Sequence, residues 1–195
     1  GPVYITVQAV KALNRVNVFF LLDKGQSKDK LMDLRREICE RYITDPGYRF
    51  AEADSPERER GDVDYTASVD DLNRAKQQTF ERLINDELSD GECGGFLVWG
   101  DPALYDSTLR ILHAILASGR CAFEFEVIPG ITSVQALAAQ HKVPLNTIGR
   151  SIEITTGRRL AAGQVSDADS LVVMLDAEDS YHHVADPQTE IFWGA

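Results

Sequence analysis

Phe96-Leu97-Val98-Trp99 runs directly into Gly100-Asp101-Pro102, and this junction constrains the fold more than any other stretch. Four apolar residues in a row read as a strand buried on both faces, the pattern of a parallel sheet. Gly100 permits a close backbone approach. Pro102 removes a donor and biases Asp101 towards an extended conformation. A helix is expected from near Tyr105, with Leu109, Ile111, Leu112, Ile115 and Leu116 on its inner side. Open α/β sheets place ligands where a strand ends in such a loop and feeds a helix. Spacing alone is equally compatible with a tight turn that binds nothing.

The arrangement recurs downstream. Residues 123–128, Phe-Glu-Phe-Glu-Val-Ile, alternate as a strand and stop at Pro129-Gly130. Thr132 or Ser133 can then cap a helix running through Gln140. Two successive strands that end in glycine-containing turns and lead into helices are more informative than either turn alone. Upstream, residues 6–13 read as a short helix with Val7, Val10 and Leu13 on one face. Residues 16–22 read as an apolar strand ending at Asp23-Lys24-Gly25, and residues 28–42 as a helix through Leu31, Leu34, Ile38 and Tyr42. Residues 44–64 carry Pro46, Gly47, Pro56 and Gly61 among charges and read as a long surface loop with a short strand at Tyr48-Arg49-Phe50. Arg58 and Arg60 leave a binding role open in that loop. Residues 65–88 form the longest helix candidate, and Gly94-Gly95 separate it from the strand at Phe96.

After His141 the pattern changes. Val143-Pro144-Leu145 reads as a connector, followed by three short β-like pieces at 152–155, 171–174 and 190–193 and one helix around 178–184. The chain is therefore expected to be α/β, with an N-terminal domain over residues 1–145 built on a mostly parallel sheet and a mixed α/β domain over 146–195. A parallel sheet would supply a strand before the first helix and the second domain a closing helix. Both ends are expected to continue beyond these residues.

Composition bears on the ligand. Thirty-one acidic against 20 basic side chains, a formal charge of -11, argue against non-specific nucleic-acid binding. An anionic ligand would need locally clustered cations. No apolar run reaches bilayer length, and Gly1-Pro2-Val3-Tyr4 lacks the basic start of a signal peptide, so a cytoplasmic protein without a membrane partner is expected. Cys39, Cys93 and Cys121 show no C-x-x-C spacing and read as buried reduced thiols. His113, His141, His182 and His183 lack metal-ligand spacing, and no metal is expected.

Gly100-Asp101-Pro102-x-x-Tyr105, then Val127-Ile128-Pro129-Gly130-Ile131-Thr132-Ser133, then Val172-Val173-Met174-Leu175 together resemble the tetrapyrrole methylases. The resemblance covers essentially the whole chain and keeps motif order and spacing. It implies a two-domain fold with S-adenosyl-L-methionine in the cleft between the domains, S-adenosyl-L-homocysteine as product and a tetrapyrrole as substrate. A homodimer is compatible with it. Thr6-Val7-Gln8-Ala9, Leu22-Asp23-Lys24-Gly25, Tyr105-Asp106-Ser107-Thr108-Leu109-Arg110, Ile154-Thr155-Thr156-Gly157-Arg158 and Trp193-Gly194-Ala195 resemble the branch on the aerobic route to cobalamin. That branch implies methylation of precorrin-5 at C1 with release of acetate, giving precorrin-6A. The family's opening strand and G-x-G-x-G turn have no counterpart here beyond Gly1-Pro2.

The resemblance implies cofactor contacts from Trp99, Gly100, Asp101 and Leu104, from Thr132 and Ser133 at the second turn, and from Leu175 and Ala195 in the second domain. Helix capping and strand-end packing are the competing roles for the last four. Lys24, Arg158 and Arg159 are candidates for the substrate carboxylates, since Arg suits bidentate carboxylate contacts. Methyl transfer needs orientation more than a nucleophilic side chain. Release of acetate needs water attack on an acyl carbon, for which Asp23, Asp101, Tyr105 and Asp106 are candidate bases. Two other functions stay open: a methylase of the same fold with another tetrapyrrole carbon or a diphthine-type protein substrate, and a non-catalytic nucleotide- or metabolite-binding protein.

Overall fold

The computed structural model describes residues 2–23, 29–56, 65–184 and 186–194, and the chain divides into two compact units, Gly1–Ile131 and Thr132–Ala195. The sequence-based division after residue 145 falls inside the second unit.

In the first unit the apolar run near the N-terminus forms β1 (Val18–Asp23), the middle strand of a parallel sheet. β2 (Arg49–Asp54) and β3 (Gly94–Phe96) flank it. Val18, Phe19 and Leu21 are fully buried and Phe20 nearly so. Both faces of β1 are covered, which is why its residues do not alternate in polarity. Phe19 packs with Leu13 of α1 (Val7–Leu13) and with Ile38, Cys39 and Tyr42 of α2 (Asp29–Tyr42). Phe20 joins a separate cluster with Leu83 and Ile84 of α3 (Tyr65–Glu87) and with Phe96. The Phe96 ring stacks on Phe80, centroids 4.4 Å apart. Ile111, Leu112 and Ile115 of α4 (Thr108–Ser118) complete the core around Phe80.

Several elements of the first unit differ from the sequence expectation. β2 has six residues rather than three, because its parallel register with β1 continues from Val18↔Arg49 to Asp23↔Asp54. β3 is earlier and shorter than the run at 96–99. It takes in Gly94 and Gly95, expected to be a spacer, and stops at Phe96. A Cβ on Gly94 would lie 2.6 Å from the Phe20 ring, so the close packing of this strand on β1 depends on the missing side chain. Trp99, expected to be buried, is 60% exposed. Residues 123–128 keep the predicted alternation, with Phe123 and Phe125 packed on the Phe80–Ile115 cluster, but no strand pairs with them among the described residues. Arg15 ties this segment through an ion pair with Glu126.

The start of the sheet is clipped across β1. Arg49, first residue of β2, makes a bidentate pair with Glu92, two residues before β3, at 2.7 and 2.9 Å. The Ser89 amide also donates to Glu92. The Arg49 hydrogen bond, then the Ser89 amide, hold the Glu92 carboxyl down at about 2, from an ordinary 4.5. A carboxylate whose folded pKa is depressed stabilises the fold above its unfolded pKa and loses that effect as pH falls through the folded value. The wild type should therefore exceed Glu92→Gln in stability at neutral pH, and the difference should vanish as the pH falls from about 4.5 to about 2. Urea melts of both proteins across that range check it; a difference independent of pH would contradict it.

In the second unit, α5 (Ser133–His141) starts with a capping box in which Thr132 and Gln135 bond reciprocally to each other's backbone amides. β4 (Ile152–Thr156) and β5 (Ser170–Met174) pair in parallel. A short helix absent from the sequence reading, α6 (Gly157–Ala161), follows β4 directly. The helix expected at 178–184 is a single 3-10 turn, Ser180–His183. Residues 190–193 form no strand. Ile191, Phe192 and Trp193 are exposed, and this stretch meets α5 instead, with His141 Nε2 3.1 Å from the Trp193 carbonyl oxygen. Among the described residues no helix is long and apolar enough to cross a membrane.

Candidate functional site

The loop between β3 and α4 folds through local bonds that its own residues supply. The Arg35 Nε of α2 donates to the Leu97 carbonyl at 2.8 Å, just past the end of β3. Gly100 has φ +87°, and nothing lies within 4 Å of where a Cβ would stand, so its backbone faces open space. Asp101 makes the following turn: its Oδ1 accepts from the Ala103 amide at 2.8 Å and its carbonyl from the Leu104 amide at 3.1 Å. Asp106 organises the exit. Its Oδ1 accepts from the Thr108 amide at 2.6 Å and its carbonyl from Arg110 Nη2 at 3.2 Å. Ser107, at the N-cap of α4, makes no side-chain cap, so the Asp106 carboxylate supplies the negative charge that a helix N-terminus favours. Tyr105 is held at φ +55° and is partly exposed. The helix thus begins at Thr108 rather than near Tyr105.

In the second unit, Leu175 follows β5 directly at φ +53° and is 72% exposed. Strained backbone of this kind costs on the order of 1–3 kcal/mol and clusters at ligand sites. Tyr105 and Leu175 are two of four non-glycine residues with positive φ among those described. Asp176, next in line, accepts from the Ser180 hydroxyl at 2.7 Å and the Ser180 amide at 2.8 Å. The Ser180 hydroxyl is the main cause that lowers the Asp176 pKa. A Cβ on Gly157 would stand 2.4 Å from Asp176 Oδ1, so glycine at the start of α6 lets the end of β5 approach it.

Of the positions proposed from sequence, Trp99, Gly100, Asp101, Leu104, Tyr105 and Asp106 all lie on the one loop. Thr132 is occupied as an N-cap and Ser133 opens α5. Arg158 and Arg159 sit exposed on α6, where Arg159 Nη2 donates to the Gln164 carbonyl at 3.0 Å. Asp23 ends β1, and its side chain lies outside what is described, as do Lys24, Arg58, Arg60 and Ala195. Cys39 and Cys121 are buried as expected, and burial pushes the Cys39 thiol up to about 11. Cys93 is exposed, contrary to expectation, because it lies in the connection ahead of β3. Sequence reasoning missed Arg35, which no motif marks: it reads as one more charge on an amphipathic helix.

Comparison with known proteins decides the family: the tetrapyrrole (corrin/porphyrin) methylase model matches residues 1–191. The chain belongs to the tetrapyrrole methylase family. This methylase is 47% identical over 195 residues to a precorrin-6A synthase [deacetylating] of Sinorhizobium sp, covering 100% of this chain and 75% of that one. It is 32% identical over 91 residues to a cobalt-precorrin-2 C(20)-methyltransferase of Salmonella typhimurium, over 45% of this chain and 37% of the relative. Among solved structures it is similar to a cobalamin synthesis related protein (CobF) of Corynebacterium diphtheriae, with a TM-score of 0.76 and 33% identity over 95% of this chain and 72% of that one. Membership makes the α/β architecture that of a methyltransferase.

Proposed function

We propose that this methyltransferase of cobalamin biosynthesis methylates precorrin-5 at C1 and releases acetate, giving precorrin-6A, with S-adenosyl-L-methionine as methyl donor. Likeness over the whole of this chain to a deacetylating precorrin-6A synthase supports the reaction. The observation that carries the site is the loop after β3, where the open backbone of Gly100 stands between the exposed Trp99 ring and the turn ordered by Asp101. These residues fit the donor: an aromatic face for an apolar or heteroaromatic group, and a backbone approachable at hydrogen-bonding distance. When bound, S-adenosylmethionine supplies an electrophilic methyl group.

The chain's own residues orient and hold. Trp99, Gly100, Asp101 and Leu104 are proposed for the cofactor, with Thr132, Ser133, Leu175 and Ala195 proposed for it from the second unit. A methyl group held in line with the attacking carbon gains effective concentration, worth up to about 7–11 kcal/mol in well-oriented systems. Asp101 and Asp106 are proposed as loop-formers, because each spends a carboxylate oxygen on a backbone amide. Asp23 and Tyr105 then stand as the candidates for moving a proton during attack of water on the acyl carbon. Lys24, Arg158 and Arg159 are proposed to receive substrate carboxylates. The contact of Arg159 with the Gln164 carbonyl would orient its guanidinium.

The test is turnover by the full-length protein with precorrin-5 and S-adenosylmethionine. Acetate and S-adenosylhomocysteine should appear in equal amounts. S-adenosylhomocysteine without acetate would assign a sister methylase activity, and cofactor binding with neither product would assign a binding protein.

A further inference from the structure

We propose that Arg35 is a positioning residue for the loop between β3 and α4, holding its start so that Gly100 and Asp101 meet the cofactor with their backbone already set; this rests on reading that loop as the S-adenosylmethionine site. The parallel register between β1 and β3 ends at Phe20↔Phe96. The Leu97 carbonyl is the next acceptor along the chain, beyond the last residue of β3, and Arg35 Nε takes it at 2.8 Å. The same guanidinium sets Nη1 3.4 Å from the Leu31 carbonyl, one turn back on its own helix, and 3.9 Å from Met32 Sδ. Because the fork is planar, contacts at Nη1 also fix where Nε points.

Arg35 is half-buried, and burial lowers its pKa. Among the described residues no carboxylate is paired with it. A desolvated cation is costly, and among the described residues hydrogen bonds to carbonyls offset that cost. The bonds made by Asp101 and Asp106 close turns within residues 101–108. The Arg35 bond instead ties the start of the loop to a separate helix, which local turns cannot do. The consequence is pre-organisation: a loop held in its bound shape loses less conformational freedom on binding.

The experiment uses Arg35→Met and Arg35→Lys in the full-length protein. It measures S-adenosylhomocysteine affinity, kcat at saturating S-adenosylmethionine, thermal midpoint, and amide exchange at residues 98–104. Arg35→Met should weaken affinity by about tenfold or more while kcat stays within about threefold. Loop amides should exchange faster in the absence of ligand, and the thermal midpoint should move by only a few degrees. Arg35→Lys should recover part of the affinity, since its ammonium can still donate to a carbonyl. Unchanged exchange in the loop overturns the proposal whatever the affinity does. A lowered midpoint with unchanged affinity makes Arg35 a support for α2 alone and also overturns it. If the wild type itself binds no S-adenosylhomocysteine, the reading of the site falls, and the proposal with it.

Discussion

Phe19→Ala should lower the unfolding free energy by about 3–5 kcal/mol, a large part of what a domain of this size has. Phe19 is fully buried on the middle strand. Its ring lies 5.6 Å from Tyr48 in an edge arrangement and 6.0 Å from Phe50, with Leu13 and Cys39 closing the pocket. Truncation would leave a cavity walled by the two rings at β2 and by two helices, none of which can collapse without shifting the sheet. The aromatic contacts add to the lost transfer energy. Phe19→Leu keeps most of the volume and should cost about 1–2 kcal/mol. Urea unfolding of the three proteins measures this, and an alanine variant as stable as the leucine one would show that Phe19 is not a keystone of the sheet.

Gly100→Val should abolish measurable S-adenosylhomocysteine binding while lowering the thermal midpoint by only a few degrees. The two effects separate because of where Gly100 sits. A side chain there meets nothing within 4 Å, so packing loses little. The φ of +87° is the obstacle, since a β-branched residue is a severe outlier at positive φ. The loop must then change its path, at a cost of about 1–2 kcal/mol or more, and every contact set by that path is lost together. Gly100→Asn, which tolerates positive φ better, should retain weakened binding. Calorimetric titration of both variants gives the answer. Valine binding as well as wild type would mean that the loop's path is irrelevant to the ligand.

Much of the first unit was legible because burial on both faces writes itself as an unbroken apolar run. Residues 16–22 announced the central strand, and helical spacing announced α2 and α4. The errors came where tertiary contacts decide. Gly94 and Gly95 look like a spacer, yet the Phe20 ring needs the space at Gly94 and Val16 and Phe19 crowd the space at Gly95, so they are strand. Phe123 and Phe125 carry the alternation of a strand because alternate residues pack on the core, and alternation says nothing about whether a neighbour pairs with them. The stretch at 190–193 is apolar but exposed, and its contacts run to α5.

The candidate loop was legible for a different reason. Gly100 frees the backbone for a turn while Pro102 restricts itself and Asp101, so the turn could be read before its bonds were seen. What spacing could not reveal is the division of labour. Asp101 and Asp106 are acidic residues in a ligand loop, and only the amide contacts at 2.8 and 2.6 Å show that each serves the loop's own geometry. Arg35 lies 62 positions from its acceptor, a separation that no local pattern encodes.

The most direct test of the central claim is residue-resolved. Isotope-labelled full-length protein titrated with S-adenosylhomocysteine should show its largest amide shifts at residues 99–104, around Gly100. Saturable binding that leaves those amides unmoved, with shifts confined to other elements, would contradict the assignment of this loop as the cofactor site.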